Sequence, residues 1–380
     1  MEQTYDLAVV GSGIVGLAHA WAAARLGKRV VVIERDSQAN GASIRNFGFV
    51  TVTGQQRGDV WRRARRSRDL WSAAAPAAGV AIEHRGLLLT IRSREAAEIV
   101  DAFLATEMGE GCERLNATEL GRRCPALRPA DGLGALHSPH EIRVESRLAI
   151  PALRRWLEGR WGVEFRTSTA VLEVSPPSIR TSRGTVAAAA AVVCPGDDLV
   201  TLFPDAIAAR AVTRCRLSML RLADPGFRLP AALMSDLGLI RYLGYAELPP
   251  AAALRRHLEA RHAEALANGV HLIVTQSADG TLVVGDSHHY GDTPDPFAPR
   301  AVEDIILGEY AAATGLAPPA VIERWTGVYS SAAGAMFADT PAPAVRLVMV
   351  TSGTGASTAF AIAEEVIGEL FDTPLGDTGL

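Results

Sequence analysis

The feature that most constrains this chain is a pair of glycine-rich turns near its N-terminus with an acidic residue between them. Apolar residues Tyr5 to Val10 lead into Gly11-Ser12-Gly13-Ile14-Val15-Gly16, and an alanine-rich segment from Leu17 to Leu26 follows, closed by Gly27. A second apolar run, Arg29 to Ile33, ends at Glu34 and Arg35. The pattern predicts strand, tight turn, helix, strand, a βαβ unit that sets a dinucleotide pyrophosphate at a helix N-terminus. Gly11 permits the sharp turn, Gly13 keeps a Cβ away from the phosphates, and Gly16 lets the helix pack closely on the strand. Glu34, roughly 20 residues on, accepts hydrogen bonds from a ribose diol and repels a 2′-phosphate, which argues against NADP.

The second turn, Gly41-Ala42-Ser43-Ile44-Arg45-Asn46-Phe47-Gly48, stands where a nicotinamide enzyme would run into another helix. The two turns in this order resemble the FAD-dependent family of D-amino acid, glycine and sarcosine oxidases. In that family a segment of this kind wraps the flavin side of FAD. Two further segments carry the resemblance toward the C-terminus. The apolar run Val186 to Val193 followed by Cys194-Pro195-Gly196 is similar to the family's segment beside the adenosine. Thr351-Ser352-Gly353-Thr354-Gly355-Ala356-Ser357, ahead of a helical run from Thr358 to Phe371, is similar to its terminal flavin-binding helix. A helix start aimed at flavin N1 and C2=O presents unpaired N–H groups and a partial positive charge, and so stabilises the anion formed on reduction.

The resemblance implies an α/β fold, α+β overall, in which a Rossmann-like FAD-binding domain carries an inserted antiparallel-sheet substrate domain. The expected division is 1–82, 141–211 and 325–380 for FAD, with 83–140 and 212–324 for substrate. The 380 residues suit two domains, and 48% hydrophobic with 21% charged residues is an ordinary globular balance. No apolar run reaches membrane-spanning length, and Met1-Glu2-Gln3 lacks the character of a signal peptide, so a cytoplasmic location is expected.

Cys112, Cys124, Cys194 and Cys215 form no C-x-x-C pair, so neither a zinc site nor a redox dithiol is indicated and no metal is expected. Some relatives tether FAD through a cysteine in the C-terminal third or a histidine near the glycine turns. This chain has no cysteine after Cys215 and no histidine between Arg25 and His84, so the expected cofactor is non-covalent FAD. The arginines between Arg57 and Arg68 suggest a nucleic-acid patch. However, Val60, Ala64, Ser67 and Trp71 fall at helical spacing toward a core, and the net charge is −4, so a solvated helix face is preferred and no nucleic-acid partner is expected.

Arg85 to Ile91 reads as a strand, and Leu272 to Thr275 with Thr281 to Val284 as a hairpin around Asp279-Gly280. The family's chemistry is hydride transfer from the carbon bearing nitrogen to flavin N5, followed by hydrolysis of the imine. Its residues therefore orient the substrate rather than attack it. Candidate anion clamps are Arg143, Arg147, Arg216 and Arg241, with Arg143 and Arg216 expected to carry the role. His288, or its neighbour His289, is expected to reach the substrate from Gly285-Asp286-Ser287-His288-His289-Tyr290.

Tyr329, in Trp325-Thr326-Gly327-Val328-Tyr329-Ser330, stands near the position where relatives carry a carboxylate-gripping arginine. That departure puts an ordinary α-amino acid in doubt. The set of motifs resembles a branch found alongside phosphonate-degradation enzymes, which implies an aminophosphonate or an N-substituted amino acid as substrate and O2 as acceptor. Two alternatives stay open: an FAD monooxygenase reduced by NAD(P)H, and a non-catalytic FAD-binding protein. The oligomeric state stays open as well.

Overall fold

Val30 to Ile33 shows why the N-terminal strands are buried on both faces. Val30 and Val32 pack into one apolar cluster and Val31 and Ile33 into another, as the two-residue period of a strand demands. In the computed structural model, which describes residues 4–128 and 132–374, this strand belongs to a parallel set. Strands Glu164–Arg166, Val30–Ile33, Thr4–Val10, Gly184–Val193 and Val345–Ser352 lie side by side in that order, all parallel. Helices Ile14–Arg25, Asp59–Ala77, Ser146–Trp161 and Gly355–Leu370 cover one face. The hairpin Val171–Ser175 with Ser178–Thr181 packs on the other.

The helix Ile14–Arg25 buries nearly every residue from Ile14 to Ala24. Its alanines have no bulk to hold neighbours away, so it sits closely against the terminal helix. Helix Asp59–Ala77 buries Trp61, Ala64, Ser67 and Trp71, close to the expected stripe, although Val60 is only half-buried and Trp61 takes its place. Several of its arginines are spent on carboxylates, Arg63 on Glu365, Arg66 on Glu364 and Arg68 on Asp69, and Arg57, just ahead of the helix, pairs with Glu107.

The same sheet continues, through Val321–Asp339, into a largely antiparallel half. Thr213–Leu222 pairs antiparallel with Val321–Asp339 on one side and with Leu282–Gly285 and His289–Gly291 on the other. Ile273–Gln276 follows in antiparallel pairing with Leu282–Gly285, as the hairpin reading expects. Then come Ala232–Met234 and Ile82–Ile91, and these two run parallel, a departure from a purely antiparallel sheet. Ile82–Ile91 pairs in turn with Gly134–Val144. A separate core fills this half, built around Leu87 to Leu89, Ile99, Phe103, Leu233, Tyr245 and Val274.

The joints expected at 82, 140 and 324 all fall inside continuous strands. Ile82–Ile91, Gly134–Val144 and Val321–Asp339 each run through one of them. Val321–Asp339 is long enough to join the two halves of the sheet. Its first part pairs with Thr213–Leu222 and its last part with Val345–Ser352. The cleft lies where the parallel and antiparallel halves of the sheet meet. No helix among the described residues is long and apolar enough to cross a membrane.

Candidate active site

The first glycine turn has the geometry its residue types demand. Gly11 has φ +98°, and a Cβ on it would lie 2.5 Å from the Cys194 carbonyl. A Cβ on Gly16 would lie 1.9 Å from the Gly11 carbonyl and 3.4 Å from a methyl of Val9, so the helix rests directly on the turn. The sequence reading left Gly13 open for phosphates alone, but a Cβ there would also meet the Ser43 hydroxyl at 2.9 Å. That hydroxyl accepts the backbone N–H of Ile14 at 2.9 Å, so the second glycine turn is locked onto the first.

Glu34 is buried at the end of its strand and faces the same cleft. One carboxylate oxygen accepts the backbone N–H and the hydroxyl of Ser12, each at 2.8 Å, and the other accepts the N–H of Asp36 at 3.0 Å. In the second turn, the Asn46 amide donates to the Ala42 carbonyl at 2.7 Å. Its oxygen accepts the Gly48 N–H at 2.7 Å and the Ser146 hydroxyl at 2.8 Å. Gly48 has φ +67°, and a Cβ there would overlap the Val144 carbonyl.

These turns line one cavity of about 630 Å³, a size proper to a cofactor with a small substrate. Gly11, Gly13, Ile14, Val15 and Gly16 reach its wall, as do Glu34 and Arg35, and Ala42, Ser43, Arg45, Asn46 and Phe47 from the second turn. Pro195 and Gly196 join from the end of strand Gly184–Val193, and Gly353 to Ser357 from the start of the terminal helix. Gly48 does not reach the wall and acts through the backbone. The terminal helix has no side-chain cap, and the Ser357 hydroxyl accepts the Thr51 N–H at 2.9 Å.

A second group of lining residues closes the cleft from the antiparallel half and the segments joining its strands: Arg241, Tyr242, His271, Asp286, His288, Tyr290 and Tyr329. The Tyr290 hydroxyl lies 3.2 Å from the Arg241 guanidinium, which donates to it. Burial opposes the charge on Arg241, yet Tyr329, Tyr290 and Asp286 more than offset it and its pKa is raised. The Tyr329 ring meets His288 edge-on at 6.4 Å and covers the Gly353 turn, where a Cβ would stand 3.1 Å from its Cζ. Burial holds both His271 and His288 well below the usual imidazole range, with Arg241 acting in the same direction. Burial also pushes the Asp286 carboxyl up to about 7, against the pull of Arg241.

The expected anion clamps stand elsewhere. Arg143 is fully buried outside the cavity wall, where it donates to Glu145 at 2.8 Å, to the Ser277 hydroxyl at 3.1 Å and to the Phe47 carbonyl at 3.3 Å. It braces the second turn from behind. Arg216 donates to the Phe297 carbonyl and faces a separate hollow beside His289 and the loop around Pro299. Arg147 pairs with Glu323 at 3.0 Å and stacks over Trp325. Among the described residues, the guanidinia that line the cleft are Arg35, Arg45 and Arg241.

Tyr242 and His271 escaped the sequence reading. The hairpin register held a signal for His271: pairing Ile273 with Gly285 sets His271 beside the Asp286-Ser287-His288 segment.

A family model described as DAO, FAD dependent oxidoreductase, matches residues 6–368. No curated protein matches the chain significantly in sequence. Several solved structures share the fold. Glycine oxidase from Geobacillus kaustophilus aligns with TM-score 0.77 at 17% identity, covering 98% of this chain and 96% of that one. L-proline dehydrogenase from P. horikoshii aligns with TM-score 0.76 at 16% identity, covering 98% and 94%. Iminodiacetate oxidase from Chelativorans sp. BNC1 gives TM-score 0.72 at 17% identity, covering 98% and 97%. With the family model spanning nearly the whole chain and the glycine turns, acidic strand end and terminal helix gathered on one cleft, this protein belongs to the DAO family of FAD-dependent oxidoreductases.

Proposed function

We propose that the protein oxidises the C–N bond of a small primary or secondary amine that carries an anionic group, an aminophosphonate or an N-substituted amino acid, to an imine, with O2 as the electron acceptor. The observation that carries this reading is Arg241, a guanidinium in the cleft wall held by the Tyr290 hydroxyl and set among Asp286, His288 and Tyr329. A planar guanidinium receives carboxylate or phosphonate oxygens through paired donors. Arg241 thus takes the part expected of Arg143 or Arg216.

The residues present fit FAD. Gly11, Gly13 and the helix start at Ile14, Val15 and Gly16 would hold the pyrophosphate, and Glu34 with Arg35 the adenosine ribose. Ala42 to Phe47 and Gly353 to Ser357 would flank the flavin ring, with the terminal helix directing its partial positive charge there. When bound, FAD supplies the hydride acceptor. With no cysteine after Cys215 and no histidine between Arg25 and His84, the cofactor would be held without a covalent bond.

The remaining work belongs to the chain. Arg241 anchors the acid group, and Tyr329 and His288 bound the space over the Gly353 turn. The direct test is an anaerobic screen of the FAD-loaded protein against aminophosphonates, N-methyl amino acids, ordinary α-amino acids and uncharged alkylamines, followed by the loss of oxidised flavin absorbance. Bleaching is expected with acidic amines. Equal bleaching by uncharged alkylamines removes the anion from the reading, and rapid bleaching by NADH or NADPH without amine moves the protein to the monooxygenases.

A further inference from the structure

We propose that His271, Asp286 and His288 form a binding site for one divalent transition-metal ion in the wall of the cleft. Their nitrogen and oxygen atoms lie within 4.8 Å of one another. His271 Nδ1 is 3.3 Å from one Asp286 oxygen, and His288 Nε2 is 3.7 Å from the other. An ion about 2.0–2.2 Å from each ligand separates neighbouring ligands by roughly 3.0–3.5 Å, so a small closure of these side chains completes the site.

The cluster is not explained by hydrogen bonding within it. His271 Nδ1 and Asp286 Oδ1 are buried, yet neither has a hydrogen-bond partner, because their mutual direction is wrong for one. A buried carboxylate oxygen and a buried imidazole nitrogen without partners are costly. A cation placed between them satisfies both together with His288 Nε2. All three residues are more than nine-tenths buried, at 3%, 4% and 8% exposure, and all three line the cavity.

The surroundings have the character of a ligand shell. The Nδ1 of His288 lies 2.9 Å from the Gly269 carbonyl; placing its proton there leaves Nε2 with a lone pair toward Asp286. The other nitrogen of His271, Nε2, lies 3.5 Å from the Tyr242 hydroxyl. Gly269, with φ +61°, makes room for this arrangement, since a Cβ there would stand 2.8 Å from that of His288. Two imidazoles and one carboxylate suit Zn2+, Fe2+, Co2+ or Mn2+ and do not suit Ca2+ or Mg2+. This site departs from the expectation of no metal, which rests on cysteine spacing and does not weigh His271, Asp286 and His288 as ligands.

Three protein ligands leave coordination positions open, and these face the space that Arg241 and Tyr329 also line. The ion would there take an oxygen of the substrate's anionic group beside Arg241; this part alone rests on the function proposed above.

The test uses the full-length FAD-loaded protein, freed of affinity tag and dialysed against a chelator. It is titrated with ZnCl2 by calorimetry and with CoCl2 by absorbance at wavelengths beyond the flavin bands. One ion per chain with a micromolar or tighter Kd, and Co2+ ligand-field bands, are expected. Asp286→Asn and His271→Gln should each weaken Zn2+ binding by more than tenfold with FAD content unchanged. Wild-type protein that binds neither ion below millimolar concentration, or variants that fold and bind Zn2+ as the wild type does, overturns the site. Should the variants fold poorly, the wild-type titration decides. It contains no amine, so its failure leaves the proposed reaction standing, and failure of the amine screen leaves the metal site standing.

Discussion

Replacing Arg241 by alanine separates the two places where an anion clamp was sought. Arg241 lines the cleft, is partly buried, and has a tyrosine hydroxyl rather than a carboxylate as its hydrogen-bond partner, so its charge is directed to the cavity. Truncating one member of a desolvated charge-assisted pair costs about 2–5 kcal/mol. Because Arg241 keeps some access to water, the lower part of that range, about 2–3 kcal/mol, applies. At about 1.36 kcal/mol per factor of ten, kcat/KM for an acidic amine falls roughly 30- to 150-fold.

An uncharged amine, which has no acid group to lose, should change less than about threefold in the same variant. Arg216→Ala should leave both substrates nearly unaffected, since its guanidinium serves the Phe297 carbonyl in another hollow. Arg143→Ala should act on stability instead. It removes the fully buried partner of Glu145, which keeps Arg221 at 3.6 Å and the Ser277 hydroxyl at 2.8 Å, a loss of about 3 kcal/mol at the low end for a broken buried pair, read as a fall in melting temperature. Steady-state kinetics of the three variants on one acidic and one neutral amine, with flavin content measured alongside, completes the assay. If Arg241→Ala reduces both substrates equally, or neither, while Arg143→Ala or Arg216→Ala shows the selective loss, the assignment of the clamp is wrong.

Two further outcomes follow from the packing. Gly16→Ala puts a methyl 1.9 Å from the Gly11 carbonyl and must displace the first turn; the purified variant should hold less than a tenth of the wild-type flavin, judged by the ratio of flavin to protein absorbance. Gly159→Ala, whose Cβ meets nothing within 4 Å, serves as the neutral control. Burial lowers the pKa of His19 to about 4, below its unfolded value, so the unfolded chain binds the proton more tightly. Its contribution is therefore intact above about pH 6.5 and is lost as pH falls toward 4, amounting to about 2 kcal/mol at pH 5. Urea unfolding at pH 7.5 and pH 5 should show a smaller acid loss for His19→Gln than for wild type, and an equal loss would remove His19 as the cause.

The cofactor half of the site was legible because its demands are local. A turn that needs φ +98° at Gly11, a helix that rests on Gly16 and an asparagine that bonds residues two and four positions away all lie within one short stretch of chain. Residue type and spacing carry such information directly. The hairpin and the buried face of helix Asp59–Ala77 were legible for the same reason, since each is read from a two- or 3.6-residue period.

Which arginine reaches the cleft was not legible. Arg143 and Arg241 are both lone cations beside apolar residues in sequence, Ile142 and Val144 in one case and Ile240 and Tyr242 in the other. Long-range contacts separate them: Glu145 and Ser277 capture Arg143, whereas Arg241 is brought opposite Tyr290 by the chain leading from strand Ala232–Met234. The convergence of His271 with Asp286 and His288 also depends on strand register. By itself the sequence determined the turns and their order, because a glycine's freedom and a strand's period are properties of the local chain. The tertiary structure alone decided which charges are spent on partners and which face the cleft, because a guanidinium's fate is set by whichever carboxylate or carbonyl the fold brings within reach.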